Sequence, residues 1–204
     1  METLWMHTSS LEHVDRLVRK YLFAKAELRI VDLGSYDVNG CYKPFFVQPG
    51  WEYQGFDLRP GPNVDRVLES PYRLPLASHS ADLLISGQAF EHIEFFWLTW
   101  MEMVRVLKPN GLIFLLAPSR GEEHRYPQDC WRFYPDGYRA LAKYAGMELL
   151  EVSTDWQPHP SPDSAQWGDT VGVFKQPPMS LLTRWRSRLG HQLRLRLTPE
   201  MALR

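Results

Sequence analysis

The residues best suited to chemistry in this chain sit where short apolar runs end. Arg29-Ile-Val-Asp-Leu33 runs straight into Gly34, and the segment from Asp32 to Gly40 reads Asp-Leu-Gly-Ser-Tyr-Asp-Val-Asn-Gly. Gly34 can take backbone angles that other residues avoid and lets a ligand come close to the chain. Ser35 adds a hydroxyl, and the loop's N–H groups can meet a carboxylate. A dinucleotide turn needs G-x-G-x-x-G to bring a pyrophosphate onto a helix N-terminus; its second glycine is absent here, which argues against NAD and FAD. Taken alone, the loop also reads as an ordinary strand-to-helix turn. Asp57, 23 residues beyond Gly34, closes the run Trp51–Asp57. An acid at a strand end can accept two hydrogen bonds from ribose hydroxyls; a solvated turn aspartate is the simpler alternative.

Proton transfer near neutral pH is histidine's range, and three groups qualify as catalytic candidates: His92, His124 and Asp129. His92 follows the run Ala81–Ser86, while His124 and Asp129 lie in the segment 118–135, which is dense in aromatic, basic and acidic side chains. Aromatic faces with interleaved hydrogen-bonding groups suit a ring-shaped polar acceptor such as a sugar. Asp129 could take the proton itself or orient His124. The alternatives are a packed histidine at a helix start for His92, a solvated loop histidine for His124, and a lid whose aromatics complete the core.

The elements that must hold these residues alternate along the chain. Residues 9–25 read as an amphipathic helix, with Ser9 and Glu12 placed for a capping box and Leu11, Val14, Leu17, Val18, Leu22 and Phe23 as the apolar stripe. Strands are predicted at 29–33, 51–57, 64–68, 81–86, 112–117, 147–152 and 170–174. A long apolar helix runs through Val106 to a stop at Lys108-Pro-Asn-Gly111, and another spans Pro135 to Ala145 with Gly146 at its end. Strands alternating with helices predict an α/β fold with a parallel, doubly wound sheet. Its ligands belong at the carboxyl ends of the strands, near the switch point.

Composition narrows the function classes. The chain has 204 residues with 44% hydrophobic and 13% aromatic content, which suits one packed domain over residues 1–175. A net charge of −1 gives no basic excess, so no nucleic-acid partner is expected. Cys41 and Cys130 form no CxxC pair, which argues against a zinc site of sequence-local thiols, and no metal is expected. Neither a signal-peptide pattern nor an apolar run long enough to span a bilayer is present, so the expected location is the cytoplasm. Residues 176–204 differ. Arg184, Arg186, Arg188, Arg194 and Arg196 accompany leucines at helical spacing, a pattern that predicts contact with an anionic membrane surface or a protein partner.

Four motifs in order then carry a resemblance: Leu74-Pro-Leu, Ser80-Ala-Asp-Leu-Leu-Ile-Ser86, Phe90-Glu-His-Ile93 and Arg105-Val-Leu-Lys-Pro-Asn-Gly-Leu112. Together over about residues 25–120 they resemble the class I methyltransferases that use S-adenosylmethionine (SAM). The resemblance implies a seven-stranded Rossmann-like sheet whose last strand is antiparallel and lies between the fifth and sixth. It implies SAM as cofactor, with Asp32 and Gly34 beside the methionine moiety and Ser35 and Tyr36 in the same loop. Asp57, followed by Leu58, holds the ribose; Ser70 and Pro71 lie beside the adenine; Ser86 and Gln88 face the cofactor. Tyr36 stands where the family has its second loop glycine, and Ser70 where an aspartate often contacts the adenine amine. The run from His124 to Gly137 is also similar to small bacterial methyltransferases of polysaccharide type. The expected reaction is O-methylation of a sugar or similar small hydroxyl compound, with N-methylation and a non-catalytic binding role as alternatives.

Overall fold

A computed structural model of the chain describes residues 8–38, 40–162 and 164–178. The basic tail expected to meet a membrane or partner falls almost wholly in 179–204, outside the described residues. Seven strands form one sheet: β1 (Leu28–Leu33), β2 (Trp51–Asp57), β3 (Arg66–Val67), β4 (Ala81–Gly87), β5 (Leu107–Arg120), β6 (Glu148–Thr154) and β7 (Gly168–Lys175). Their order is β3-β2-β1-β4-β5-β7-β6. Strands β1 to β5 pair in parallel, and β7 runs antiparallel to both neighbours, β5 and β6. This is the α/β, Rossmann-like arrangement anticipated from the sequence. The order reverses between β1 and β4, which opens the crevice where ligands of such sheets bind.

Alternation along each strand divides the core in two. Val31, Leu33, Leu84, Ile113, Leu115 and Phe174 point to one face, against α2 (Phe96–Val106) and α3 (Pro135–Ala145). Ile30, Leu83, Ile85, Phe114, Leu116 and Val173 point to the other, against Val14, Leu17 and Val18 of α1 (Thr8–Tyr21). Because central strands carry apolar residues on both faces, β4 and β5 read in sequence as continuous hydrophobic runs. Among the described residues no helix is long and apolar enough to cross a membrane.

Three expectations need correction. The first helix begins at Thr8 and ends at Tyr21, so Ser9 lies inside it, where its backbone N–H donates to Ser164 Oγ at 3.3 Å; Phe23 lies beyond it, 88% exposed. Among the described residues the connection from β1 to β2 carries only a 3-10 turn, Lys43–Phe46, and no helix lies between β2 and β4. The chain before β4 is held instead by Arg105, whose guanidinium donates to the carbonyls of Leu74 and Leu76 and to Ser78 Oγ, while Glu102 accepts the Leu74 N–H at 2.8 Å. Lastly, the long helix does end at Val106, but the fifth strand begins before Leu112: Lys108-Pro-Asn-Gly111 forms the irregular start of β5, where Lys108 pairs with Asp82 at 2.7 Å. The co-occurring motifs at 74–76, 80–86 and 105–112 are therefore tied to each other through Arg105 and Lys108, and their role is to hold the sheet.

Candidate active site

Strands β1, β2 and β4 deliver their carboxyl ends to one concave, mostly apolar cleft, the kind of site small molecules use. The glycine turn forms its base. Gly34 has φ of 86°, and a Cβ there would lie 2.5 Å from Ala89 Cβ. The turn is thus set by backbone conformation and by the approach of the β4 end, quite apart from any ligand. The Gly34 and Ser35 N–H groups are both committed to the Phe56 carbonyl, and the Tyr36 N–H donates to Asp57 Oδ2 at 3.2 Å. Asp57 Oδ1 accepts the Arg59 N–H at 3.1 Å. Each carboxylate oxygen retains acceptor capacity, and Asp57 lines the cleft.

Of the candidate cofactor residues, Gly34, Tyr36, Asp57, Leu58, Pro71 and Gln88 line the cleft. Asp32, Ser35, Ser70 and Ser86 do not. The Ser35 hydroxyl donates to the Asn63 carbonyl at 3.0 Å and the Ser86 hydroxyl to the Leu33 carbonyl at 2.8 Å, while Ser70 Oγ accepts the Tyr72 N–H at 3.3 Å. All three serines are buried and brace the strand ends. Asp32 is 1% exposed; Tyr53 Oη donates to its Oδ2, and its Oδ1 has no partner. Burial pushes its carboxyl up to about 7 despite the tyrosine. Sequence reasoning missed Leu68, Ala89, Ile93 and Tyr126, which also line the cleft. The first three had no signal beyond apolarity, whereas Tyr126 was one aromatic among many in the lid.

The lid supplies little of its aromatic wealth to the cleft. Phe133 is buried in the core, and Trp131 packs on Phe96 and Trp97 with its Nε1 donating to the Ile93 carbonyl at 3.1 Å. His124, Tyr126 and Pro127 do reach the cleft. Arg59, just past β2, stacks its guanidinium 4.9 Å from the Tyr126 ring and so links the two walls.

His92 and His124 meet there edge to face, ring centroids 4.9 Å apart. His92 Nδ1 lies 2.6 Å from the Gln128 carbonyl, and the Gln128 amide donates back to the His92 carbonyl at 3.0 Å. A carbonyl only accepts, so Nδ1 carries the proton and Nε2 offers the lone pair. Burial holds the His92 pKa below the usual histidine value, which keeps the ring neutral. Asp129 does not line the cleft, and the structure argues against it as a proton acceptor. Burial alone would raise its pKa, but the Arg132 guanidinium at 2.5 and 2.8 Å and the His124 N–H at 2.8 Å hold it down to about 2. It anchors His124, whose Nδ1 lies 3.3 Å from Asp129 Oδ2. Beside this pair is Glu91, fully buried, with its carboxyl pushed up to about 8 by desolvation.

Comparison with known proteins bears on what this cleft serves. Residues 52–115, from β2 to β5, match a methyltransferase domain family. An uncharacterized methyltransferase of Mycobacterium leprae is 26% identical over 190 residues, covering 83% of this chain and 64% of that protein. One of Mycolicibacterium gilvum is 30% identical over 174 residues, covering 72% and 63% respectively. The chain thus spans less than two thirds of the length of these curated relatives. The structure of Burkholderia thailandensis 1,6-didemethyltoxoflavin-N1-methyltransferase with bound 1,6-didemethyltoxoflavin and S-adenosylhomocysteine superposes with a TM-score of 0.64 at 12% identity, covering 85% of this chain and 81% of that one. The chain is thus similar in sequence to methyltransferases and shares the fold of a SAM-dependent one.

SAM, the cofactor of this family, fits the residues present. Asp57 offers a carboxylate with unused lone pairs for the ribose hydroxyls. Leu58, Leu68, Pro71 and Ile93 supply an apolar wall suited to the adenine, and the backbone at Gly34 presents no side chain toward the methionine end. Ser70 does not line the cleft, and its Oγ accepts the Tyr72 N–H.

Proposed function

We propose that the chain binds SAM in this cleft and methylates a hydroxyl of a small polar acceptor, a sugar or a similar compound. The observation that carries the reading is the meeting of His92 and His124 on the wall of the cleft that Asp57 and Gly34 also line. SAM supplies an electrophilic methyl group on a sulfonium. Transfer is an in-line displacement, so alignment of acceptor and methyl provides much of the rate. A hydroxyl is a poor nucleophile until its proton is drawn away. His92, its neutral imidazole fixed by Gln128, and His124, held by Asp129, stand where that proton must leave. Tyr126 and the stacked Arg59 give the acceptor an aromatic and a cationic edge, which suits a sugar's mixed surface.

The test is transfer of a labelled methyl group from SAM to a panel of hydroxyl and amine compounds. Labelled ethers, formed by wild type and lost in His92→Ala and His124→Ala, are expected. Labelling confined to amines would replace O-methylation by N-methylation, and SAM binding without turnover on any acceptor would favour a non-catalytic role.

A further inference from the structure

Glu91, His92 and His124 are not merely neighbours. One ligand atom from each lies within 4.8 Å of the others, and the surroundings are those of a cation site. Glu91 is fully buried in the 3-10 turn Phe90–His92 that follows β4, and its oxygens have no hydrogen-bond partner beyond the residue's own backbone N–H. A buried carboxylate without a partner is expensive unless something neutralises it. Arg132, whose charge acts on Glu91, is already engaged bidentately by Asp129, so it neutralises that carboxylate. Glu91 Oε1 lies 3.6 Å from His92 Nε2. Two ligands of one tetrahedral ion, each about 2.1 Å from it, stand roughly 3.4 Å apart.

The imidazoles are also held as metal ligands are held. A ligating histidine typically fixes its remote ring nitrogen on a carbonyl or carboxylate. His92 Nδ1 is on the Gln128 carbonyl at 2.6 Å, and His124 Nδ1 is on the Glu122 carbonyl at 3.2 Å with Asp129 Oδ2 at 3.3 Å. Both rings line the cleft, so an ion between them keeps an open position toward the acceptor.

We propose that Glu91, His92 and His124 form a two-histidine, one-carboxylate site for a divalent transition ion such as Zn²⁺, Fe²⁺ or Co²⁺. Two imidazole nitrogens favour these over Mg²⁺ and Ca²⁺, which prefer oxygen ligands. The proposal rests on the methyl-transfer reading and deepens it. An acceptor hydroxyl in the open position is acidified by the ion and releases its proton to solvent at the cleft mouth. Its oxygen then forms the bond to the methyl carbon as the carbon–sulfur bond breaks, leaving S-adenosylhomocysteine. The histidines act through the ion rather than by taking up the proton.

Metal-stripped full-length protein is titrated with Co²⁺, followed by its visible absorption, and with Zn²⁺ by calorimetry. S-adenosylhomocysteine binding is measured on the same samples. One ion per chain is expected, with the visible bands of four- or five-coordinate Co²⁺. Affinity should fall at least tenfold in both Glu91→Gln and His124→Ala, while S-adenosylhomocysteine still binds. Glu91→Gln keeps the size of the side chain, and its melting temperature reports that it folds. Protein that binds S-adenosylhomocysteine but no Co²⁺ or Zn²⁺, or whose metal affinity ignores both substitutions, overturns the site while leaving the methyltransferase reading intact. Failure to bind S-adenosylhomocysteine strikes that reading instead, whatever the metal result.

Discussion

Asp32→Asn separates the structural burden of the glycine turn from its ligand role. Asp32 is 1% exposed, its Oδ1 has no partner, and its carboxyl is pushed by burial up to about 7 from an ordinary 3.8. An acid whose folded pKa is raised holds its proton longer in the folded chain than in the unfolded one. Its stabilising contribution is complete below about pH 3.8 and is lost as pH rises to about 7. At about 1.36 kcal/mol per pH unit the full loss is on the order of 4 kcal/mol, of which roughly 3 falls between about pH 5 and pH 7. Asparagine keeps an acceptor for the Tyr53 hydroxyl and has no charge to desolvate. Urea unfolding of both proteins without cofactor, from about pH 5 to pH 8, should show the variant gaining on wild type by about 3 kcal/mol and then levelling off. A stability difference that stays flat across that range would refute the desolvated, partly orphaned state of Asp32.

Gly34→Ala should lower stability by about 2 kcal/mol, through its positive φ and the contact with Ala89, as read by thermal unfolding; adding Ala89→Gly should recover the contact part alone. His92→Ala and His124→Ala should each cut kcat roughly 10²–10⁴-fold while calorimetry shows unchanged SAM affinity. Glu151, on β6, is held down to about 2 from an ordinary 4.5: partial burial raises it, but Lys20, Arg16 and Tyr21 of α1 more than offset that. Its stabilising contribution is present above about pH 4.5 and lost as pH falls to about 2, so Glu151→Gln should cost ~1 kcal/mol at neutral pH and nothing near pH 2, measured by chemical denaturation.

What the sequence disclosed follows physical lines. Central strands β1, β4 and β5, apolar on both faces, announced themselves as runs, and Pro135 and Gly146 marked α3; the left-handed Gly146, φ 68°, donates its N–H to the Ala142 and Lys143 carbonyls. The two-residue β3 and the helix-free stretch before β4 were less legible, because Arg105 and Glu102, distant in sequence, hold that chain. At the site, residue type found the glycine turn and Asp57 but could not say which way short hydroxyls point. Ser35, Ser70 and Ser86 all turned to backbone groups, as short polar side chains at strand ends readily do. Of the lid aromatics, Phe133 went to the core and Trp131 to a partly exposed cluster with Phe96 and Trp97. Glu91 was visible only as half of a Glu-His pair; its burial without a partner is a property of the fold.

The claim on which all of this rests is that the cleft at the ends of β1, β2 and β4 holds SAM. Calorimetric titration of the wild-type chain and of Asp57→Ala with S-adenosylhomocysteine tests it most directly. The expected result is one site per chain, weakened in Asp57→Ala by on the order of 2 kcal/mol, about 30-fold, the scale of charge-assisted hydrogen bonds lost from the ribose. No binding to folded wild type, or equal affinity in the two proteins, would contradict it.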